Sequence, residues 1–371
     1  MRPRAWPTAA RCGIDRDRVS ESLRIPVETS DLTPAWLGAA LGAPVVAVEV
    51  LESHSGTTGR TRLGLTYAPG GGNGAPASVF VKLAPFDVAQ RGFVDHVGLG
   101  VSEARFYREI AAEVPVRVPR AWHAALDGEK RYVMVLEDLR ASGCRFPRPR
   151  DPDVAERSLA VVEAMGRLHG RYWETPRFAA DLAWVAARGT GERGAGGELV
   201  AQAKSLLADR LPPAFARICD FFVAHVEPIT ELWNEGPATL VHGDAHMGNL
   251  FVDGSVPGFL DWAMVGRASG LRDVAYYCCN SVPAAVRRAH EREWLARYRE
   301  VLAEEGVALG EPAAWDGYRL FAISSWLAAT STAAMGSLWQ PEHVGLGGTE
   351  RATASVEELD CLGFLRERLG V

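Results

Sequence analysis

His242-Gly243-Asp244-Ala245-His246-Met247-Gly248-Asn249 runs through the apolar Leu250-Phe251-Val252 and the pair Asp253-Gly254 to Gly258-Phe259-Leu260-Asp261-Trp262. An aspartate followed five positions later by an asparagine, in a loop between short apolar runs, is the spacing of a phosphoryl-transfer catalytic loop. The chemistry needs both side chains. The carboxylate of Asp244 would orient a substrate hydroxyl and accept its proton, and the carbonyl oxygen of Asn249 is a hard ligand for Mg²⁺. The Asp253-Gly254 turn predicts a hairpin that returns Asp261 to the same cleft. A second carboxylate there would bridge Mg²⁺ to nucleotide phosphates. The bland alternative, a turn merely rich in Asp and Asn, leaves the order of the three residues unexplained. His242 and His246 are four apart, a zinc spacing only on a helix; Gly243 and Gly248 disfavour a helix and no H-E-x-x-H glutamate is present. His242 reads instead as a brace for the loop.

Outward from this patch, the two halves of the chain differ. Before it, strand-like runs fall at residues 45–52, 61–67, 78–84, 119–126 and 131–137, with a helical period over 101–114. Thr33-Pro34 marks a helix start and Gly42 its end. After residue 140 the pattern is helical at 153–173, 198–211, 213–233, 283–305, 313–339 and 355–369. A sheet lobe followed by a helical lobe is an α+β arrangement with a cleft between the two. The expected division is a loosely ordered tail over 1–28, an N-lobe over 29–139 and a C-lobe over 140–371.

HGDAHMGN and the following LDW resemble the aminoglycoside phosphotransferase-like kinases, more narrowly their ecdysteroid-kinase-like and choline-kinase-like relatives. That resemblance implies a bilobal protein-kinase-like fold with an N-terminal antiparallel sheet lobe and a mostly helical C-terminal lobe. It implies ATP and Mg²⁺ as cofactors, Asp244 as catalytic base, and Asn249 and Asp261 as metal ligands. Asp273, in GLRDVAYY, would be the aspartate that holds the catalytic loop from the next helix. Glu137 and Leu139, where the lobes join, would supply backbone contacts to adenine.

The 371 residues carry 40 basic and 46 acidic side chains, a balance of −6 with no basic excess to suggest nucleic acid. Only Lys82, Lys130 and Lys204 are lysines; the rest are arginine. No lysine follows a glycine, so a G-x-x-x-x-G-K-[ST] phosphate loop is absent. Lys82 sits in SVFVKLA, where Val79, Val81 and Leu83 occupy the opposite face of the strand. Its ammonium needs a partner there. Glu103 shares a helical stripe with Phe106, Tyr107 and Ile110, which turns it toward the sheet and makes it that partner. In the connection SHSGTTGR, residues 53–60, Ser55, Gly56, Thr57 and Thr58 would form a loop whose backbone amides lie over phosphates.

Residues 320–341 carry no charge, yet six serines and threonines interrupt them, so a buried helix is expected and not a membrane span. That stretch lacks the carboxylates a polycationic acceptor needs. The acceptor-side candidates are His246, Trp262, Phe321, Trp326 and Trp339, pointing to an apolar or mixed hydroxylated small molecule. Six scattered cysteines without a C-x-x-C pair suit a reducing cytoplasm. No obligate protein partner is evident. The sequence reads as a small-molecule O-phosphotransferase. An antibiotic-resistance kinase and a catalytically silent, nucleotide-binding regulatory scaffold are the alternatives, the latter disfavoured because every expected site residue is present.

Overall fold

The computed structural model describes residues 23–371 apart from 57, 88–90, 93–97, 129, 188–194 and 337–340. Strands β1 (Val45–Ser55), β2 (Gly59–Tyr67), β3 (Ser78–Leu83), β4 (Ala121–Leu126) and β5 (Tyr132–Glu137) form one antiparallel sheet in the order β1-β2-β3-β5-β4. Alternation along β3 and β5 gives the sheet two apolar faces. Val79, Val81, Leu83, Val133 and Val135 pack with Leu37 of helix α1 (Pro34–Leu41). Met134 and Leu136 face the other way, onto Phe106, Tyr107 and Ile110 at helix α2 (Leu99–Glu109). Lys82 lies on this second face.

The signals that frame α1 act as expected. Thr33 Oγ1 accepts from Trp36 N at 3.2 Å, Pro34 opens the helix, and Gly42 closes it with φ of 64°. Residues 23–28 are tied to this corner: Trp36 Nε1 donates to Arg24 O at 2.9 Å, and Val27 N donates to Asp31 Oδ2 at 2.8 Å. The remainder of the expected tail, residues 1–22, lies outside the described residues.

The second lobe contains α3 (Val154–Arg171), α4 (Ala195–Leu207), α5 (Pro213–Ala224), α6 (Val226–Leu232), α7 (Leu271–Tyr276), α8 (Ala284–Glu304), α9 (Glu311–Ala334), α10 (Glu342–Glu358) and α11 (Cys361–Leu369). Between α6 and α7 come two small antiparallel pairs. Strand β6 (Thr239–Val241) pairs with β9 (Gly266–Ala268), and β7 (Leu250–Asp253) with β8 (Val256–Phe259) across the Asp253-Gly254 turn. The arrangement is α+β and bilobal.

Three local readings are corrected. Strands β1 and β2 reach Ser55 and Gly59, so the phosphate-loop connection shrinks from eight residues to three. The helix expected over 213–233 breaks at His225, because Pro228 has no N–H for the carbonyl four residues back. The helix expected over 355–369 is two helices. Asp360 sits at φ of 47° and its carboxylate accepts from Gly363 N at 3.2 Å, capping α11 afresh. Helix α10 begins well before residue 355; Gly345, Gly347 and Gly348 hid its start, since glycine is a poor helix former. No helix among the described residues is long and apolar enough to cross a membrane.

Candidate active site

Strand β6 delivers the chain to His242, and the turn that follows depends on Gly243. Its φ is 82°, and a Cβ there would collide with the carbonyl of Met264. The two backbone amides at this bend point to one carboxylate. Asp273 of α7 accepts from His242 N at 2.6 Å and Gly243 N at 3.0 Å. It also lies 3.4 Å from His169 Nε2, while His169 Nδ1 meets the Tyr298 hydroxyl at 2.9 Å. Burial pushes the Asp273 carboxyl upward, but the bonds from His169 and the loop, with His242 nearby, hold it below the usual range. The expected tie between α7 and the loop is thus a buried three-donor site.

His242 braces the loop from within. Its Nε2 donates to Leu260 O at 3.0 Å, and Nδ1 accepts from Asp244 N at 3.3 Å. Burial lowers its pKa despite the neighbouring carboxylates, so the ring is a neutral crosslink. His246 makes different contacts. Its Nδ1 accepts from Gly248 N at 3.0 Å, and Nε2 stands 3.6 Å from Asp244 Oδ2. No metal-type cluster of three or more His, Cys, Asp or Glu occurs among the described residues.

Asp244 is held by both oxygens. Tyr276 donates its hydroxyl to Oδ1 at 2.8 Å, and Asn249 Nδ2 donates to Oδ2 at 3.0 Å. Burial and the Asp244 charge push the Tyr276 hydroxyl far up, so it remains a donor. Asn249 Nδ2 also donates to Asp244 O at 2.9 Å. Both of those bonds use nitrogen, which leaves the carbonyl Oδ1 for a hard cation. Asn249 O accepts from Leu260 N at 3.0 Å, so the β7–β8 hairpin returns Asp261 beside this residue.

Asp261 adopts φ of 62° at the end of that hairpin and faces the sheet lobe. Lys82 Nζ stands 3.2 Å from its Oδ1, across 179 residues of sequence, and Arg60 approaches Oδ2 to 3.9 Å. Burial opposes ionisation, but the two cations outweigh it and bring the carboxyl down to about 2. Lys82 also pairs with Glu103, whose side chain is wholly enclosed. Here burial wins, pushing the Glu103 carboxyl up to about 7 against the pull of Lys82. An ionised oxygen pair at Asp261 beside the carbonyl of Asn249 is a donor set that fits Mg²⁺.

In the β1–β2 connection, Ser55 Oγ accepts from Phe86 N at 3.0 Å, Gly56 N donates to Thr58 O at 3.1 Å, and Thr58 is buried. Thr57 lies outside the described residues. Phe86 closes under this turn, and a Cβ on Gly59 would run into its ring. At the lobe junction Glu137 accepts from Arg117 NH2 at 2.7 and 2.9 Å, and Arg117 Nε reaches Asp253 of the hairpin at 3.0 Å. Leu139 is buried against Phe251 and Cys144.

The acceptor-side aromatics are placed differently from expectation. Trp262 is fully buried and stacks on Phe106 of α2, with ring centroids 4.0 Å apart and planes 8° from parallel. Phe321 and Trp326 are core residues of α9; Trp326 packs near Phe215 and Phe222 and donates Nε1 to Thr353 Oγ1 at 3.2 Å. None of the three lines an open cleft, and Trp339 lies outside the described residues. A cavity of about 340 Å³ bounded by Trp233, Arg267 and Ser269 contains none of the site residues. The sequence reading missed Arg60, Tyr276 and Arg117. Arg60 alone had a local signal, as the one cation in the connection SHSGTTGR.

A sheet lobe and a helical lobe joined over such a cleft define a protein-kinase-like phosphotransferase fold. The chain belongs to the phosphotransferase enzyme family, whose model matches residues 71–321. Solved structures that share the fold include the following two. A choline kinase from Cryptosporidium parvum Iowa II is 11% identical, with a TM-score of 0.54, covering 90% of this chain and 94% of its own. A Ralstonia eutropha JMP134 protein, described as a candidate aminoglycoside phosphotransferase, is 14% identical with a TM-score of 0.51, covering 90% and 99%. Among curated protein sequences, none matches the chain.

Proposed function

We propose that the chain transfers the γ-phosphate of ATP, with Mg²⁺, to a hydroxyl of a small molecule, and that Asp244 is the base. The observation that carries this reading is the constellation at the lobe junction. Asp244 is held on both oxygens, and Asn249 and Asp261 sit side by side on the hairpin. Lys82 links Asp261 to Glu103. The residues divide at about 139/140 into a nucleotide-gripping lobe and a lobe that carries the catalytic loop.

In this reading the acceptor hydroxyl gives its proton to the Asp244 carboxylate as its oxygen attacks the γ-phosphorus. The bond from that phosphorus to the β,γ-bridging oxygen breaks, and ADP leaves with the electron pair. Asn249 Oδ1 and Asp261 would hold Mg²⁺, which screens the phosphate charge when bound. Lys82 would position phosphate oxygens, with Glu103 keeping its ammonium in place. Ser55, Gly56 and Thr58 would cover the phosphates, and the backbone at Glu137 and Leu139 would meet the base. His242 and Asp273 keep the loop bent. Because Trp262, Phe321 and Trp326 are enclosed, the acceptor's character does not follow from them. His246, at the open side of Asp244, remains the acceptor-side candidate.

The test is an ATP-consumption screen over hydroxylated metabolites and antibiotics, with Asp244→Asn as control. The variant is expected to bind nucleotide as before and lose about 10²- to 10⁴-fold in turnover. Equal turnover in the variant would remove Asp244 from its role.

A further inference from the structure

The cleft holds a second cation besides Lys82. Arg60 is the first residue after Gly59 on β2 and lies directly opposite Lys82 in the β2–β3 register. Opposed residues of an antiparallel pair share one face of the sheet, so both side chains leave it toward the cleft. Both reach Asp261, Lys82 at 3.2 Å and Arg60 at 3.9 Å. They differ in their other contacts. Lys82 is buried, and Glu103 answers its charge. The Arg60 side chain is 36% exposed, and its Nε donates to Thr58 Oγ1 at 3.0 Å, which fastens the guanidinium to the short connection over the cleft.

We propose that Arg60 is a phosphate-binding residue of this site, its guanidinium taking oxygens of the nucleotide's phosphate chain beside Lys82. The inference deepens the phosphotransferase reading and rests on it. The charges motivate it. Lys82 is enclosed and shared between Glu103 and Asp261, so Arg60 adds the second positive charge on the face that a phosphate chain would meet. With Arg60 the group holds two cations against the two acidic side chains, and the guanidinium is the more exposed of the cations. A planar guanidinium offers paired donors that match phosphate oxygens, which an ammonium cannot. Thr58 Oγ1 presets that plane before the nucleotide arrives.

Calorimetric titration of adenosine, ADP and ATP into the full chain and into Arg60→Ala and Arg60→Lys tests this. Arg60→Ala is expected to weaken ADP and ATP binding roughly 10- to 100-fold and leave adenosine affinity unchanged. Arg60→Lys should recover only part of the loss. Wild-type affinity for ATP in Arg60→Ala overturns the inference. So does an equal loss for adenosine, which would make the residue's role structural. If the unaltered chain binds no nucleotide at all, the phosphotransferase reading itself fails, a result distinct from either.

Discussion

Tyr276 donates its hydroxyl to Asp244 Oδ1 at 2.8 Å, while Asp273, three residues earlier, accepts from the amides of His242 and Gly243. One segment therefore holds both the bend of the loop and the carboxylate that the loop presents. Beyond Tyr276 the helix continues as a single π-turn, Tyr277–Ser281, and Ser281 Oγ accepts from Met247 N at 2.8 Å. Tyr276 just before that turn and Ser281 at its end thus both hold the loop.

Tyr276→Phe removes that donor without emptying its space. A hydrogen bond to a charged group contributes about 1.5–3 kcal/mol, so kcat should fall by roughly 10- to 100-fold. KM for the nucleotide should stay as it was. Steady-state kinetics with a working acceptor will show the split; an unchanged kcat would mean that Asn249 alone suffices to place Asp244.

Lys82→Met leaves Glu103 buried and unpaired, since Glu103 Oε1 already lacks a hydrogen-bond partner. Breaking one side of a buried pair costs about 3–5 kcal/mol, readable by urea denaturation. Adding Glu103→Leu should restore most of that stability and none of the activity. Lys82→Arg should fail to restore wild-type nucleotide affinity, because the wider guanidinium cannot occupy the same enclosed point between Glu103 and Asp261. A single variant as stable as the wild type would show that Glu103 simply takes up a proton once Lys82 is gone.

Trp262→Ala deletes the ring that stacks on Phe106 between the lobes. Loss of a fully buried aromatic should cost about 3–5 kcal/mol. Glu103 lies one turn from Phe106 on α2, so the nucleotide grip should loosen along with the stability. Thermal unfolding and nucleotide titration on the same samples check this. Loss of acceptor binding alone, at wild-type stability, would return Trp262 to the acceptor side.

Asp273 carries a pH dependence whose sign is set by its lowered pKa. Its stabilising contribution is complete above the ordinary value of 3.8 and is lost as pH falls through the lower folded value, because the unfolded chain takes the proton first. Asp273→Asn should be less stable at neutral pH and should flatten the loss of stability below about pH 4. Urea midpoints from pH 7 to 3 provide the comparison, and parallel slopes for the two proteins would rule the linkage out.

By itself the sequence determined what depends on short spacing. The order of Asp244, Asn249 and Asp261, the hairpin at Asp253-Gly254, the face of β3 that carries Lys82 and the stripe that turns Glu103 inward all follow from periods of two and 3.6 or from turn chemistry. Periodicity says which way a side chain leaves its own element and nothing of what another lobe sets against it. Only the tertiary structure decided that Trp262 closes on Phe106, that Tyr276 reaches Asp244, and that Arg60 stands with Lys82 over Asp261. Each of those contacts joins segments far apart in the chain. Their geometry is settled by how the sheet and the helices pack, where burial, shape and charge are satisfied together.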